Sequence, residues 1–168
     1  LLGEYYNKRY GVDFRSMRFP GIISSEVPPG GGTTDYAVAI YYEALKNGRY
    51  TCFLEESQSL PMMYMPDCLK AISMLLQAPN SCLSRRSYNI TSMSFTPSDL
   101  AKEIKKKVKH FEILYEPDFR QKIAESWPRT IDDSAARDDW GWNADYDIER
   151  MSDHMLTRLG ARASIRAP

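Results

Sequence analysis

The sequence predicts an α/β fold. One observation is the opening rhythm: a helical pattern over Leu1 to Tyr10 stops at Gly11, and apolar and polar residues then alternate from Val12 to Phe19. The other is that helix-like and strand-like stretches go on alternating through Trp142. With 168 residues, 43% of them hydrophobic, the chain can bury a core as one domain or as part of a larger one.

Taken in order, Leu1–Tyr10 is a helix and Val12–Phe19 a strand ending at Pro20. Pro20-Gly21-Ile22-Ile23 is expected to be a turn beyond that strand's carboxyl end, where α/β sheets meet their ligands. Pro28 and Pro29 then stiffen the approach to Gly30-Gly31-Gly32. Thr33, Thr34 and Asp35 offer capping oxygens to a helix from Asp35 to Lys46, closed by Asn47-Gly48. A loop presenting hydroxyls and N–H groups at a helix start suits a small anion or zwitterion. A plain surface loop with a good cap accounts for the same residues equally well.

Tyr50–Leu54 and Pro61–Met65 read as strands. Pro66-Asp67 opens a helix to about Gln77, with Asp67 as its cap or in its first turn. Ser87–Ile90 is a strand, and Thr96-Pro97-Ser98-Asp99 a strong helix start. The lysines of that helix (102, 105, 106, 107 and 109) mark a solvated face. Phe111–Tyr115 is a strand, Phe119–Glu125 a short helix closed by Trp127-Pro128, and Asp133 starts a helix to about Trp140. Gly141 breaks it, Asp147 caps the last helix, and the tail from Gly160 to Pro168 is expected to fray.

Charge excludes some partners. Lysine plus arginine and aspartate plus glutamate are 22 each, so nothing draws the chain to nucleic acid or an anionic membrane. Three widely spaced cysteines (Cys52, Cys68, Cys82) make no metal-ligand set and no disulfide framework, which favours a reducing compartment and apolar packing. No apolar run reaches membrane-spanning length. The chain opens in mid-pattern without an initiator methionine and is expected to be the C-terminal portion of something longer.

Several blocks then acquire a common meaning. They are Gly11-Val-Asp-Phe-Arg15 with Arg18-Phe-Pro-Gly-Ile-Ile23, Pro29-Gly-Gly-Gly-Thr-Thr-Asp-Tyr-Ala-Val38, and Leu60-Pro-Met-Met-Tyr-Met-Pro-Asp-Cys68. After Tyr88-Asn89 and Ser94-Phe-Thr-Pro97 come Pro117-Asp-Phe-Arg-Gln121, Ser126-Trp-Pro-Arg-Thr-Ile-Asp-Asp-Ser-Ala-Ala136 and Asp139-Trp-Gly-Trp142. In this order they resemble the C-terminal half of the NAD-dependent L-threonine 3-dehydrogenases, within the extended short-chain dehydrogenase/reductase (epimerase/dehydratase) superfamily.

The resemblance implies the C-terminal part of a Rossmann-type doubly wound fold plus a smaller substrate-binding α/β region. Residues 1–25 would end the nucleotide-binding domain and include the tail of the catalytic helix. Residues 26–168 would be mainly substrate-binding, with some elements returning to the Rossmann sheet. The family's glycine-rich nucleotide loop, its catalytic Ser or Thr and its Tyr-x-x-x-Lys pair align ahead of Leu1, so no catalytic residue is expected in this chain. The implied reaction is oxidation of L-threonine to 2-amino-3-ketobutyrate with NAD.

Pro20, Gly21 and Ile22 resemble the segment that touches the nicotinamide, with the Ile22 main chain on the carboxamide. Gly32, Thr33, Thr34 and Asp35 resemble the substrate loop, Thr34 foremost, while Asp35 faces the ammonium or caps the helix. Trp127 resembles a residue that closes over substrate. Arg18 and Arg129 would meet a carboxylate, a phosphate or an internal partner, and His110 and His154 take no catalytic role. Family members commonly form homodimers through helices that include the catalytic one, in the mitochondrial matrix of eukaryotes or the cytoplasm of bacteria. The alternatives are a nucleotide-sugar epimerase or dehydratase, against which the compact glycine loop speaks, and an inactive fragment whose Val12–Phe19 strand would present an open edge.

Overall fold

The computed structural model describes residues 1–166, with side chains through 162. Helix α1 (Leu2–Tyr10) ends where Gly11 takes a left-handed φ of 69° and donates its N–H to the Asn7 carbonyl. Strand β1 covers only Ser16–Arg18, shorter than the alternation suggested. Before it, Arg15 pairs with Asp13 and donates to the Leu75 and Ala78 carbonyls, so this stretch is tied to the end of a helix rather than to a ladder. Pro20 then separates β1 from β2 (Gly21–Ile23), which is a strand where a turn was expected. Its distant partner decides this: Gly21, Ile22 and Ile23 lie in parallel register with Met62, Met63 and Tyr64.

A 3-10 turn (Thr33–Asp35) leads into α2 (Tyr36–Asn47), closed by Gly48 at φ 66°. Strands β3 (Arg49–Cys52) and β4 (Leu60–Tyr64) precede α3 (Met65–Gln77), and β5 (Ser87–Asn89) and β6 (Met93–Phe95) precede α4 (Pro97–Lys107). The last elements are β7 (Glu112–Tyr115), α5 (Phe119–Glu125), α6 (Ser134–Trp140) and α7 (Ile148–Arg166). Helix α4 starts as its sequence demands. Thr96 Oγ1 accepts the Asp99 N–H at 3.1 Å, and the Asp99 carboxylate accepts the Thr96 N–H at 3.2 Å.

The strands form three small sheets: β1 beside β5, β2-β4-β6, and β3 beside β7. Three of the four pairings are parallel; β4 with β6 is antiparallel. All of β4 is buried, and its alternation feeds two hydrophobic clusters. Leu60, Met62 and Tyr64 join the larger one, with buried faces of α2, α4 and α7. Met63 joins the smaller one, with Cys68, Leu75, Tyr88, Trp140 and Trp142. On α4 the buried Leu100, Ala101 and Ile104 oppose lysines in solvent, where Lys102, Lys106 and Lys107 meet Asp99, Glu103 and Asp153.

Two expectations change. Asp67 lies in the first turn of α3, the second of its two expected placements, and its side chain does not cap the helix. Its carboxylate, 1% exposed, accepts the N–H groups of Asp145 and Tyr146 at 2.9 and 3.1 Å and the Ser92 hydroxyl at 3.3 Å. It therefore fastens the loop ahead of α7 to the start of α3. Nor does the chain fray at Gly160. Met151, Met155, Leu156 and Leu159 give α7 a buried face, and the helix runs on through Arg166; Ala167 and Pro168 lie outside the described residues. Cys52 and Cys68 are buried free thiols and Cys82 a half-buried one, as apolar packing required; burial pushes the Cys52 thiol up to about 11. No helix among the described residues is long and apolar enough to cross a membrane.

Candidate active-site groove

The β1–β2 junction, the 3-10 turn and the segment after α5 converge on one groove of about 470 Å³. It is lined by Phe19, Pro20, Gly21 and Ile22 of the β1–β2 junction, by Thr34 and Pro61, and by Trp127, Pro128 and Ile131 of the segment after α5. Gly21 permits the closeness. A Cβ there would come within 2.7 Å of the Thr34 methyl and 2.6 Å of Met62 Sδ. The β2 strand lies at the edge of its sheet, so alternate main-chain groups of residues 21–23 point away from β4.

Five of the eight expected site residues line this groove: Pro20, Gly21, Ile22, Thr34 and Trp127. Trp127 is 41% exposed. Thr33 is buried beside the groove rather than lining it. Gly32 and Asp35 also stand outside it and shape the loop instead. One oxygen of the Asp35 carboxylate accepts the N–H of Gly30 at 2.7 Å and of Gly32 at 2.9 Å. Asp35 thus reaches back into the glycine loop, and neither Thr33, Thr34 nor Asp35 caps α2 with its side chain. The Thr34 hydroxyl makes no hydrogen bond among the described residues.

Helix α5 leads directly into the Trp127 segment. Asp118 caps it by accepting the Arg120 N–H at 2.8 Å, and the Arg120 guanidinium both grips that carboxylate and lies 3.2 Å from the centre of the Phe53 ring. The guanidinium holds the Asp118 carboxyl below its ordinary range. Buried Gln121 fixes the same helix to the core loop, accepting the Glu55 N–H at 3.0 Å and donating to Gln58. The Trp127 N–H closes onto the Ala124 carbonyl at 3.1 Å, so the indole follows where α5 sits.

No side chain lining the groove titrates in the ordinary pH range. Tyr42 and Lys46 stand four residues apart on α2, the spacing of a Tyr-x-x-x-Lys pair, but they line a separate groove with Glu26, Leu45 and Arg162. Arg18 bonds Asn89 at 3.3 Å in a third recess, and Arg129 is exposed outside the groove. His154 bonds the Tyr64 hydroxyl at 2.8 Å, and His110 is exposed. The groove also takes in Phe19, Pro61, Pro128 and Ile131, which sequence reasoning did not single out. All four sit inside blocks that carry the resemblance, and the β2–β4 register is what brings Pro61 beside Gly21 and Ile22.

No family model matches the chain. The pig mitochondrial L-threonine 3-dehydrogenase is 52% identical over 98% of the chain, which covers 44% of that protein. The crystal structure of L-threonine dehydrogenase from Phytophthora infestans superposes with a TM-score of 0.93 at 61% identity, covering 96% of this chain and 52% of that one. The chain is homologous to the L-threonine 3-dehydrogenases. It spans about half the length of those relatives. A UDP-glucose 4-epimerase from Thermotoga maritima also superposes, with a TM-score of 0.73 over 97% of this chain and 50% of that one, but at 18% identity it shares the fold alone. The α/β, Rossmann-like architecture is common to both kinds of structure. An uncharacterized epimerase/dehydratase of Staphylococcus haemolyticus is also 48% identical over 95% of this chain, which covers 51% of that protein.

Proposed function

We propose that this chain forms the substrate wall and nicotinamide edge of an NAD-dependent oxidoreductase that converts L-threonine to 2-amino-3-ketobutyrate. The observation that carries the reading is the meeting of the β2 end, Thr34 and Trp127 in one groove, in a chain so similar to threonine dehydrogenases. Bound NAD supplies the hydride acceptor. The donor set fits it: the Ile22 main chain offers one N–H and one C=O on an edge strand, the pair a primary carboxamide takes. Gly21 lets a flat ring approach the backbone, and Pro20 holds the chain direction there.

Thr34 gives the amino-acid head group a hydroxyl, and the backbone N–H groups of the turn favour its carboxylate. Asp35 keeps those groups in place by holding Gly30 and Gly32. Trp127 covers the substrate and excludes water. These residues contribute placement; the group that takes the alcohol proton lies outside this wall. Residues 1–25 belong on this reading to the nucleotide-binding part, and residues 26–168 mainly to the substrate part. The elements around β5 and α6 return to the smaller cluster with Met17 and Ile22. The exposed Tyr5, Tyr6 and Tyr10 of α1 suit a homodimer contact, checked by sedimentation of the intact protein. The pig relative is named as mitochondrial, which supports a mitochondrial location, the matrix on this reading, for a eukaryotic source, with the cytoplasm for a bacterial one.

The deciding experiment is NADH formation by the intact protein with L-threonine. Turnover of a nucleotide sugar in its place would overturn the assignment. Thr34→Ala should raise KM for L-threonine about tenfold, the scale of one hydrogen bond to a charged group, with NAD affinity unchanged. Trp127→Ala should lower kcat/KM by about the same factor, and an unchanged value would return the indole to a packing role.

A further inference from the structure

The glycine loop is the softest part of the groove's surroundings. Residues 26–32 are all exposed, and Gly31 stands at a φ of 95°, where its carbonyl direction depends on what holds it. Arg158 and Arg162 pair with Glu26 at the loop's start, and two further side chains hold its glycines. Asp35 takes the N–H groups of Gly30 and Gly32 from the α2 side. From the α5 side, Arg120 Nη1 donates to the Gly31 carbonyl at 3.3 Å.

Arg120 is itself unusually well fixed. Its guanidinium makes paired contacts to Asp118, at 3.0 Å from Nε and 2.6 Å from Nη2, and its plane lies against Phe53. The helix that bears it is anchored by buried Gln121, so the rigidity belongs to α5 and is lent to the loop. The same helix ends at Glu125, and the backbone N–H of Trp127, two residues on, bonds the Ala124 carbonyl within it. Thr34 and Trp127 both line the groove, and Arg120 ties the loop that leads to Thr34 to the helix that leads to Trp127. We propose that Arg120 is a positioning residue whose bond to the Gly31 carbonyl couples the glycine loop to α5 and sets the gap between Thr34 and Trp127 into which the amino acid fits.

This inference rests on the threonine-oxidising reading, and the two fail in different ways. In the intact protein, Arg120→Ala is expected to raise KM for L-threonine about five- to tenfold while KM for NAD stays the same, the loss expected of one interaction between a charged donor and a carbonyl. Arg120→Lys, which keeps the charge but not the fork, should recover only part of that. Phe53→Leu removes the ring beneath the guanidinium without touching charge, and should raise the threonine KM about two- to threefold; it serves as the test should Arg120→Ala fail to fold. A lowered melting temperature with threonine and NAD constants both unchanged, in Arg120→Ala or in Phe53→Leu, would reduce Arg120 to a structural contact and overturn the inference alone. Absence of threonine turnover in the unmodified protein would overturn the inference together with the reading it deepens.

Discussion

Gly21→Ala is expected to damage stability and substrate binding together. The added methyl would lie 2.6 Å from Met62 Sδ and 2.7 Å from the Thr34 methyl, both well inside contact distance. Met62 is fully buried in β4 and can yield only by disturbing the larger cluster. Thr34 can yield only by moving along the groove. Gly21 has no positive φ, so alanine costs nothing in backbone strain there, and its better strand propensity offsets a fraction of the loss. Overpacking of this kind costs about 1–3 kcal/mol. Chemical denaturation should show that loss, and KM for L-threonine should rise by at least the factor expected for Thr34→Ala. A stable variant with an unchanged KM would mean that Thr34 does not contact substrate from its observed position.

The second large effect is structural. Asp67→Ala should destabilise the fold by about 3 kcal/mol, since one buried carboxylate serves two backbone N–H groups and a hydroxyl. Its removal frees the turn at Asp145 and Tyr146, and with it the start of α7 and the ring packing of Tyr146 on Tyr64. Asp67→Asn keeps one acceptor oxygen and should lose about half as much. The measurement is the denaturation midpoint at constant slope. Equal stability of the alanine variant would show that the loop is held by its other contacts.

Local chemistry made much of this architecture readable. Gly11, Gly48 and Gly141 each end a helix in the left-handed region, and Thr96 with Asp99 forms the capping box its spacing announces. The three-residue strands were harder. Gly21–Ile23 and Met93–Phe95 are too short to show a period, and each is a strand only because β4 lies beside it. Asp67 and Asp35 illustrate the same limit for polar residues. Each looked like a cap because caps are what neighbouring sequence can reveal, whereas the groups they actually satisfy depend on the fold. Asp67 reaches almost eighty positions along the chain; Asp35 reaches backwards into a loop. Within the groove, Pro20, Gly21, Ile22, Thr34 and Trp127 came from resemblance, and Pro61 and Arg120 emerged only once distant segments were placed together.

The parallel pairings have a consequence for how the molecule is made. Ser16 finds Ser87 across 71 positions, Gly21 finds Met62, and Arg49 finds Glu112, so the first three strands leave the ribosome long before their neighbours exist. At ordinary synthesis rates the wait between β1 and β5 is roughly 4 to 14 seconds. Helices α1 and α2 can form in that interval, since their bonds are local, but the strands beside them cannot. The strand edges that later meet β4, β5 and β7 therefore stay open until those distant segments have been made, so the pairing of these strands is a late, non-local step while the helices beside them form early.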